Sequence, residues 1–460
     1  MTNAMVNLND EFRDECAVFG IWNHKEASRM AYLSLYAMQH RGQESAGIVT
    51  LHEHEHLIHK GLGLVGDVFS DEELNRLKGR AAIGHARYST TGQNLLVNAQ
   101  PLNAELLRGP VAVAHNGNIV NHKSLKAQLR AQGAIFQGTN DTEIILHLLS
   151  KNQDSPIIET LKQALPTVEG AFSFVLLTQK KLIALRDHWG FRPLSIGRLG
   201  DSWVVASETC AFDLIGAEYV RDVEPGEIVS FDDEGMSSTF YNKKETKAQC
   251  IFEHVYFARP DSKVFGLSVY ESRKNLGKLL AKESPVAADL VIPVPDSGVP
   301  AAIGYSQESG IAFELGIIRN HYVGRTFIQP SQGIRDFGVK IKLNPQSEIL
   351  RGKRVIVIDD SLVRGTTSKK IINLIRGAGA KEVHFRIASP PTVSPCYYGV
   401  DTPQKDQLIA AQRSLKEIQD FVGSDSLAYL SMNGLYQSVH SDSTQFCAAC
   451  FGEKYPTAIE

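Results

Sequence analysis

The 460-residue chain has little cysteine, no long apolar stretch and almost no net charge. Six cysteines are too few to staple a protein of this length, which excludes a secreted disulfide scaffold and gives any clustered thiols a metal or catalytic reading. The longest apolar run, around Ala171–Leu177, is strand-sized and far short of the ~18–20 residues of a membrane span. With 48 basic against 51 acidic residues the balance is −3, so a broad nucleic-acid footprint is not expected. Repeats of a few tens of residues are absent, and with them solenoids and propellers. Met1–Glu15 is polar and acidic, without the basic flank and apolar stretch of a secretory signal. The expectation is a cytoplasmic protein that uses neither membrane nor nucleic acid. What is present, 43% hydrophobic and 22% charged residues, is an ordinary globular composition, and the length implies two or three domains.

The chain changes character near its middle. Up to about Ser238, short apolar runs are bounded by Gly, Asn and Asp; Thr239–Gln249 is a polar, Lys-rich candidate linker; beyond it, strands alternate with helices, as in a parallel sheet. Val355–Ile358 reads as a strand buried on both faces, and Ile371, Ile372, Leu374 and Ile375 share one face of the helix that follows. Leu290–Val294 reads as another strand of that sheet. Ligands of such sheets bind at the carboxyl ends of strands, which places a polar site at Asp296–Gly298 and Asp359–Ser368.

The chemistry at Asp359–Ser368 suits a sugar phosphate. A Gly/Thr loop opening a helix offers backbone N–H groups to an anion, but the first Gly and the Lys of a Walker loop are missing. Two adjacent carboxylates before that loop repel phosphate, so they suit ribose hydroxyls or a Mg²⁺ held by pyrophosphate. Helix capping alone accounts for one aspartate but not two. The string VIVIDDSLVRGTTS resembles the phosphoribosyl-pyrophosphate (PRPP) motif of type I phosphoribosyltransferases. The resemblance implies that Asp359, Asp360 and Ser361 hold ribose and Mg²⁺-linked groups, and that Arg364, Gly365, Thr366, Thr367 and Ser368 cradle the 5′-phosphate. It also implies that Asp296 and Ser297 form the pyrophosphate loop, with Ser297 at the metal. Residues 319–344, rich in Gly and cations, read as a lid in which Arg325, Arg335, Lys340 or Lys342 meets pyrophosphate, with Arg325 and Lys340 the expected contacts.

In the first half, Cys16 stands between an acidic leader and the apolar string AVFGIW. Its thiol needs a base. His40, His85 or His115 suits a papain-like scheme; alternatively, removal of residues 1–15 frees an α-amine titrating near ~7.7–8.0 that takes the proton itself. QHRGQESAG (39–47), GHARYSTTG (84–92), AHNGNIVN (114–121) and GTNDTE (138–143) follow in order. Together with the leader and Cys16 they resemble the class II, N-terminal-nucleophile glutamine amidotransferases. That resemblance implies nucleophilic attack by Cys16 on the glutamine amide and an oxyanion hole at Asn116 and Gly117. It further implies that Arg87 binds the glutamine α-carboxylate and Asp141 its α-ammonium, which leaves His85 and His115 structural.

The two halves in series resemble the glutamine PRPP amidotransferase family, and YFARPDS (256–262) and NHYVGRTFI (320–328) extend the likeness. What this implies is α/β and α+β architecture: residues 1–15 a propeptide, 16–245 an αββα sandwich, and 246–460 a phosphoribosyltransferase domain with a parallel sheet. The implied reaction passes ammonia from glutamine to C1 of PRPP, giving 5-phosphoribosylamine, within a homotetramer inhibited by purine nucleotides. A class II amidotransferase acting on another sugar phosphate, and a non-catalytic nucleotide sensor, are the rival readings; the intact PRPP string opposes the first, and the intact Cys16 the second.

One CxxC and two distant cysteines, Cys250, Cys396, Cys447 and Cys450, leave both zinc and iron–sulfur open as ligand chemistry. Their contexts, QCIFEHVYFARP, SPPTVSPCYYG and FCAACFGEKYP, resemble the propeptide-bearing branch with a [4Fe–4S] cluster. Cys210 reads as core. His52, His54 and His56 alternate as if on one exposed edge strand, where charge blunts pairing.

Overall fold

The computed structural model describes residues 16–88, 95–320, 342–441 and 445–459. The leader, and Arg325, Arg335 and Lys340 of the expected lid, lie outside them.

Ala17–Trp22 alternates its side chains between two apolar environments. Val18 and Trp22 enter a core shared with a second sheet, while Phe19 and Ile21 pack under the helices Ala27–Ala37 and Cys210–Ile215. A strand apolar on both faces is the signature of a sheet covered on both sides. Burial of each such large side chain contributes roughly 1.5–3 kcal/mol. The strand lies inside a seven-stranded antiparallel sheet, flanked by Ser202–Ala206 and Ala81–Arg87. A six-stranded antiparallel sheet, with Leu182–Arg186 and Gly170–Thr178 in its middle and Gly109–Ile119 beside the latter, stacks against it. The outer face of this second sheet is covered by helices His122–Ala131, Glu143–Ser150 and Ile157–Ala164. The sheets meet closely at Gly20, where a Cβ would fall 2.8–2.9 Å from Val175, Leu182 and Val205. The result is four layers, αββα.

The second half is built on a parallel sheet ordered Leu290–Pro293, Arg354–Asp359, Glu382–Ile387, Ser426–Tyr429. Val355 and Val357 face the helix Thr366–Gly377, and Ile356 and Ile358 face the opposite core. In that core, helices Val269–Glu283 and Val299–Ser309 touch backbone to backbone: a Cβ on Gly277 would lie 1.8 Å from the Ala301 carbonyl, and one on Gly304 1.9 Å from that of Lys274.

Two expectations change. The polar linker is shorter than Thr239–Gln249, because Thr239 and Phe240 end the strand Gly235–Phe240 and Gln249–Cys250 pairs in parallel with Phe446–Cys447. The three alternating histidines do not share a strand. A turn with Glu53 at φ 54° separates Ser45–His52 from the edge strand Glu55–Leu62, so His52 and His56 lie on opposite arms of a hairpin.

Candidate active sites

Cys16 is buried immediately before the strand Ala17–Trp22. Ala17 pairs with Ala86, which sets Arg87 beside Cys16, and the Cys16 thiol donates to the Tyr88 carbonyl (3.4 Å). The second sheet delivers Asn116 and Gly117 from within the strand Gly109–Ile119. Ser207, which the sequence motifs do not single out, joins the two sheets: its Oγ accepts from the Val18 N–H (3.0 Å) and from Asn116 Nδ2 (3.3 Å). Asn116 Oδ1 is buried without a hydrogen-bond partner among the described residues. Gly117 has φ +145°, and a Cβ there would sit 2.1 Å from the Ala171 carbonyl oxygen, so no other residue fits.

Asp141 does not cap the helix that follows it. Its Oδ2 accepts the Ile119 N–H (2.7 Å), two residues beyond Gly117, and its Oδ1 lies 3.6 Å from His115 Nδ1. Burial raises this carboxyl, but His115, the Ile119 N–H and His122 outweigh it and bring it down to about 2. His85 is fully buried, and burial pushes its imidazole down to about 3, a neutral ring holding the His115 carbonyl (2.9 Å). Cys210 is buried in its helix, as expected of a core residue.

At the other centre, Asp359 ends its strand, and the segment 294–298 folds against it. The Val294 N–H donates to the Ile358 carbonyl (2.8 Å), and a Cβ on Gly298 would lie 2.5 Å from that same oxygen. Asp296, Ser297, Asp359 and Asp360 therefore converge at the carboxyl ends of adjacent strands. The Asp360 carboxyl is raised by burial, against hydrogen bonds from Ser297 and Ser361 and the charge of Arg273. Asp359 Oδ1 accepts the Asp360 N–H (3.0 Å), and Ser361 Oγ donates to Asp360 Oδ1 (2.6 Å). Asp296 pairs with Arg319 (2.7 Å), a cation the sequence reading did not name as a site residue. Gly365 takes φ +77° at the N-terminus of helix Thr366–Gly377, with no side-chain cap, leaving the first-turn N–H groups directed along the helix axis. Thr366 is exposed, Thr367 half-buried and Ser368 buried, while Arg364 donates to Gln407 (2.8 Å).

Cys250, Cys396, Cys447 and Cys450, up to 200 positions apart, line one cavity with Phe191, Tyr398 and Tyr455. None is in a disulfide. Among the described residues, no three His, Cys, Asp or Glu side chains stand close enough to hold a metal ion. No helix among them is long and apolar enough to cross a membrane.

A buried thiol between two sheets and a twin-aspartate loop on a parallel sheet define the class, a glutamine amidotransferase joined to a phosphoribosyltransferase. A glutamine amidotransferase domain family matches residues 85–213, and a phosphoribosyl transferase domain family matches 269–389. The chain is 54% identical to a chloroplastic amidophosphoribosyltransferase of Vigna aconitifolia, covering 100% of this chain and 95% of that protein. It is 49% identical to the amidophosphoribosyltransferase of Bacillus subtilis (97% and 95% covered). The solved glutamine PRPP amidotransferase from B. subtilis, complexed with ADP and GMP, superposes with a TM-score of 0.92 at 48% identity, covering 97% of this chain and 98% of that one. The chain belongs to the amidophosphoribosyltransferase family, the enzymes of the first step of purine biosynthesis.

Proposed function

We propose that the chain makes 5-phosphoribosylamine by hydrolysing glutamine at Cys16 and delivering the ammonia internally to C1 of PRPP, where it displaces pyrophosphate. The observation that carries this is the coexistence of the Cys16–Asn116–Gly117 arrangement and the Asp296–Ser297/Asp359–Asp360 arrangement in one family member. After removal of residues 1–15, the α-amine of Cys16 takes the thiol proton, and the sulfur attacks the side-chain amide carbon of glutamine. Asn116 Nδ2 and the Gly117 N–H stabilise the oxyanion; losing one such donor typically costs ~2.7–4 kcal/mol of barrier. Arg87 and Asp141 orient the glutamine α-carboxylate and α-ammonium. The protonated α-amine returns its proton to the amide nitrogen, the C–N bond breaks and ammonia leaves; water then resolves the resulting thioester to glutamate and frees the thiol.

At the second centre, Asp359, Asp360 and Ser361 hold the ribose hydroxyls. Arg364, Gly365, Thr366, Thr367 and the Ser368 backbone hold the 5′-phosphate, with Arg325 and Lys340 closing over pyrophosphate. Ser297, Asp359 and Asp360 would hold Mg²⁺, which would supply positive charge against pyrophosphate. The domain limits that follow are 16–245 and 246–460. Four cysteines around one cavity, in sequence contexts like those of the propeptide-bearing branch, support the [4Fe–4S] reading. A cytoplasmic homotetramer inhibited by purine nucleotides completes the reading; the B. subtilis relative was solved with ADP and GMP.

Cys16→Ala tests it. Glutamine-dependent product formation is expected to vanish while ammonia-dependent formation persists. Joint loss in folded protein, or retained glutamine use, contradicts the division of labour.

A further inference from the structure

Between the two centres lies a buried ion-pair cluster that neither reaction uses. Arg41, from the string QHRGQ, donates through Nε to the backbone carbonyl of Cys16 (3.2 Å). Its two terminal nitrogens reach Glu208 Oε1 (2.5 Å) and both carboxylate oxygens of Glu253 (2.7 and 2.9 Å). The Arg41, Glu208 and Glu253 side chains are at most 1% exposed. Burying such a cluster is costly, and replacing it with apolar side chains is often neutral or stabilising, so stability alone does not account for it.

The members come from both halves of the molecule. Arg41 and Glu208 belong to the αββα sandwich. Glu253 opens the π-helix Glu253–Phe257, closed by the Ala258 N–H to the Glu253 carbonyl (3.2 Å). Single π turns occur often at functional sites, where the extra residue redirects a side chain. Arg273 locks this π turn from the helix Val269–Glu283, donating to the His254 (3.0 Å) and Ala258 (2.7 Å) carbonyls. The guanidinium of Arg273 lies within electrostatic range of Asp360. Contacts therefore run from Arg273 through the π turn, Glu253 and Arg41 to the carbonyl of the nucleophile.

We infer that Glu253, a residue of the phosphoribosyltransferase half, is a positioning residue for the amidase: acting through Arg41, it fixes the Cys16 carbonyl and so the attack pose of the thiol. The inference rests on the assignment of Cys16 as nucleophile. Glu253 touches no glutamine atom, so its loss lowers turnover without weakening substrate binding, and it leaves the ammonia reaction alone.

The test is Glu253→Gln in the full chain, assayed for glutamine hydrolysis with PRPP present and for phosphoribosylamine formation from ammonium chloride. Because a displacement of about 1 Å at a reacting group can cost ~100-fold, the expected kcat for glutamine falls about 10–100-fold. The KM for glutamine and the ammonia-dependent rate should each stay within about three-fold of the parent. Unchanged glutamine kcat overturns the inference, as does a proportional fall in both activities. Should the single variant not fold, Arg41→Gln/Glu253→Gln removes both charges at once. It is expected to lose no more glutamine turnover than Arg41→Gln alone, and multiplicative losses contradict the linkage. A parent enzyme without glutamine-dependent activity would instead remove the nucleophile assignment, which separates that failure from this one.

Discussion

Asp141 carries its charge in a place where burial alone would neutralise it. His115 and the Ile119 N–H bring the carboxyl to about 2, below the ~3.9 of an unfolded chain. Its stabilising contribution, on the order of 2 kcal/mol, is therefore present above pH ~4 and lost as pH falls from there toward 2. Asp141→Asn should flatten that part of the acid limb, measured by denaturant unfolding at pH 5 and pH 3. The same variant should raise the KM for glutamine; an unchanged KM contradicts the role given to Asp141 at the substrate ammonium. Gly117→Ala is the sharper residue-scale case, since the new methyl meets the Ala171 carbonyl at 2.1 Å. Loss of glutamine use, or of the fold itself, is expected; normal glutamine kinetics contradict an oxyanion hole at this backbone. The strings around Cys16, Asn116 and Asp141 singled these residues out, and the structure brings them to the junction of the two sheets. Ser207 and Glu253 were not singled out, because their contacts cross between elements distant in sequence.

Among the elements, those buried on both faces were the most readable. AVFGIW and VIVI announce strands covered on each side, and the Gly-Thr-Thr turn announces the helix it opens. The histidine string misled because its period-two alternation runs straight through a two-residue turn at Glu53 and His54, across which His52 pairs with Glu55. The linker was overestimated at its start because Thr239 and Phe240, the end of an exposed edge strand, run without a break into Lys-rich coil; Gly235–Phe240 is the last strand of its sheet. The contact between helices Val269–Glu283 and Val299–Ser309 depends on Gly277 and Gly304, whose role appears only when the two helices are seen crossing. Gly277→Ala forces the pair apart and should cost about 1–3 kcal/mol, read as a lower denaturant midpoint. An unchanged midpoint would mean that the helices part without penalty.

On the scale of the whole molecule, the C-terminal half embraces the amidase. The Tyr397 and Tyr398 carbonyls accept from Asn118 (2.9 Å) and Arg192 (2.8 Å), and Gly399 lies against the Gly117 backbone. Cys396 sits at the root of this contact and lines the cavity shared with Cys250, Cys447 and Cys450. That the four cysteines come together was expected from the family resemblance, and they line one cavity; spacing alone did not show it, because only Cys447 and Cys450 are neighbours in sequence. Metal analysis of purified protein should find about four irons with matching sulfide per chain; stoichiometric zinc contradicts the cluster. The central claim, that one protein frees nitrogen at Cys16 and uses it at Asp359–Asp360, is tested most directly by isotope competition. Glutamine labelled with ¹⁵N at its amide is supplied with PRPP and an excess of unlabelled ammonium, and the phosphoribosylamine is analysed by mass spectrometry. The account predicts product enriched in the glutamine label well above its proportion in the solution pool, although external ammonium also reacts; label diluted to the proportion in solution would contradict it.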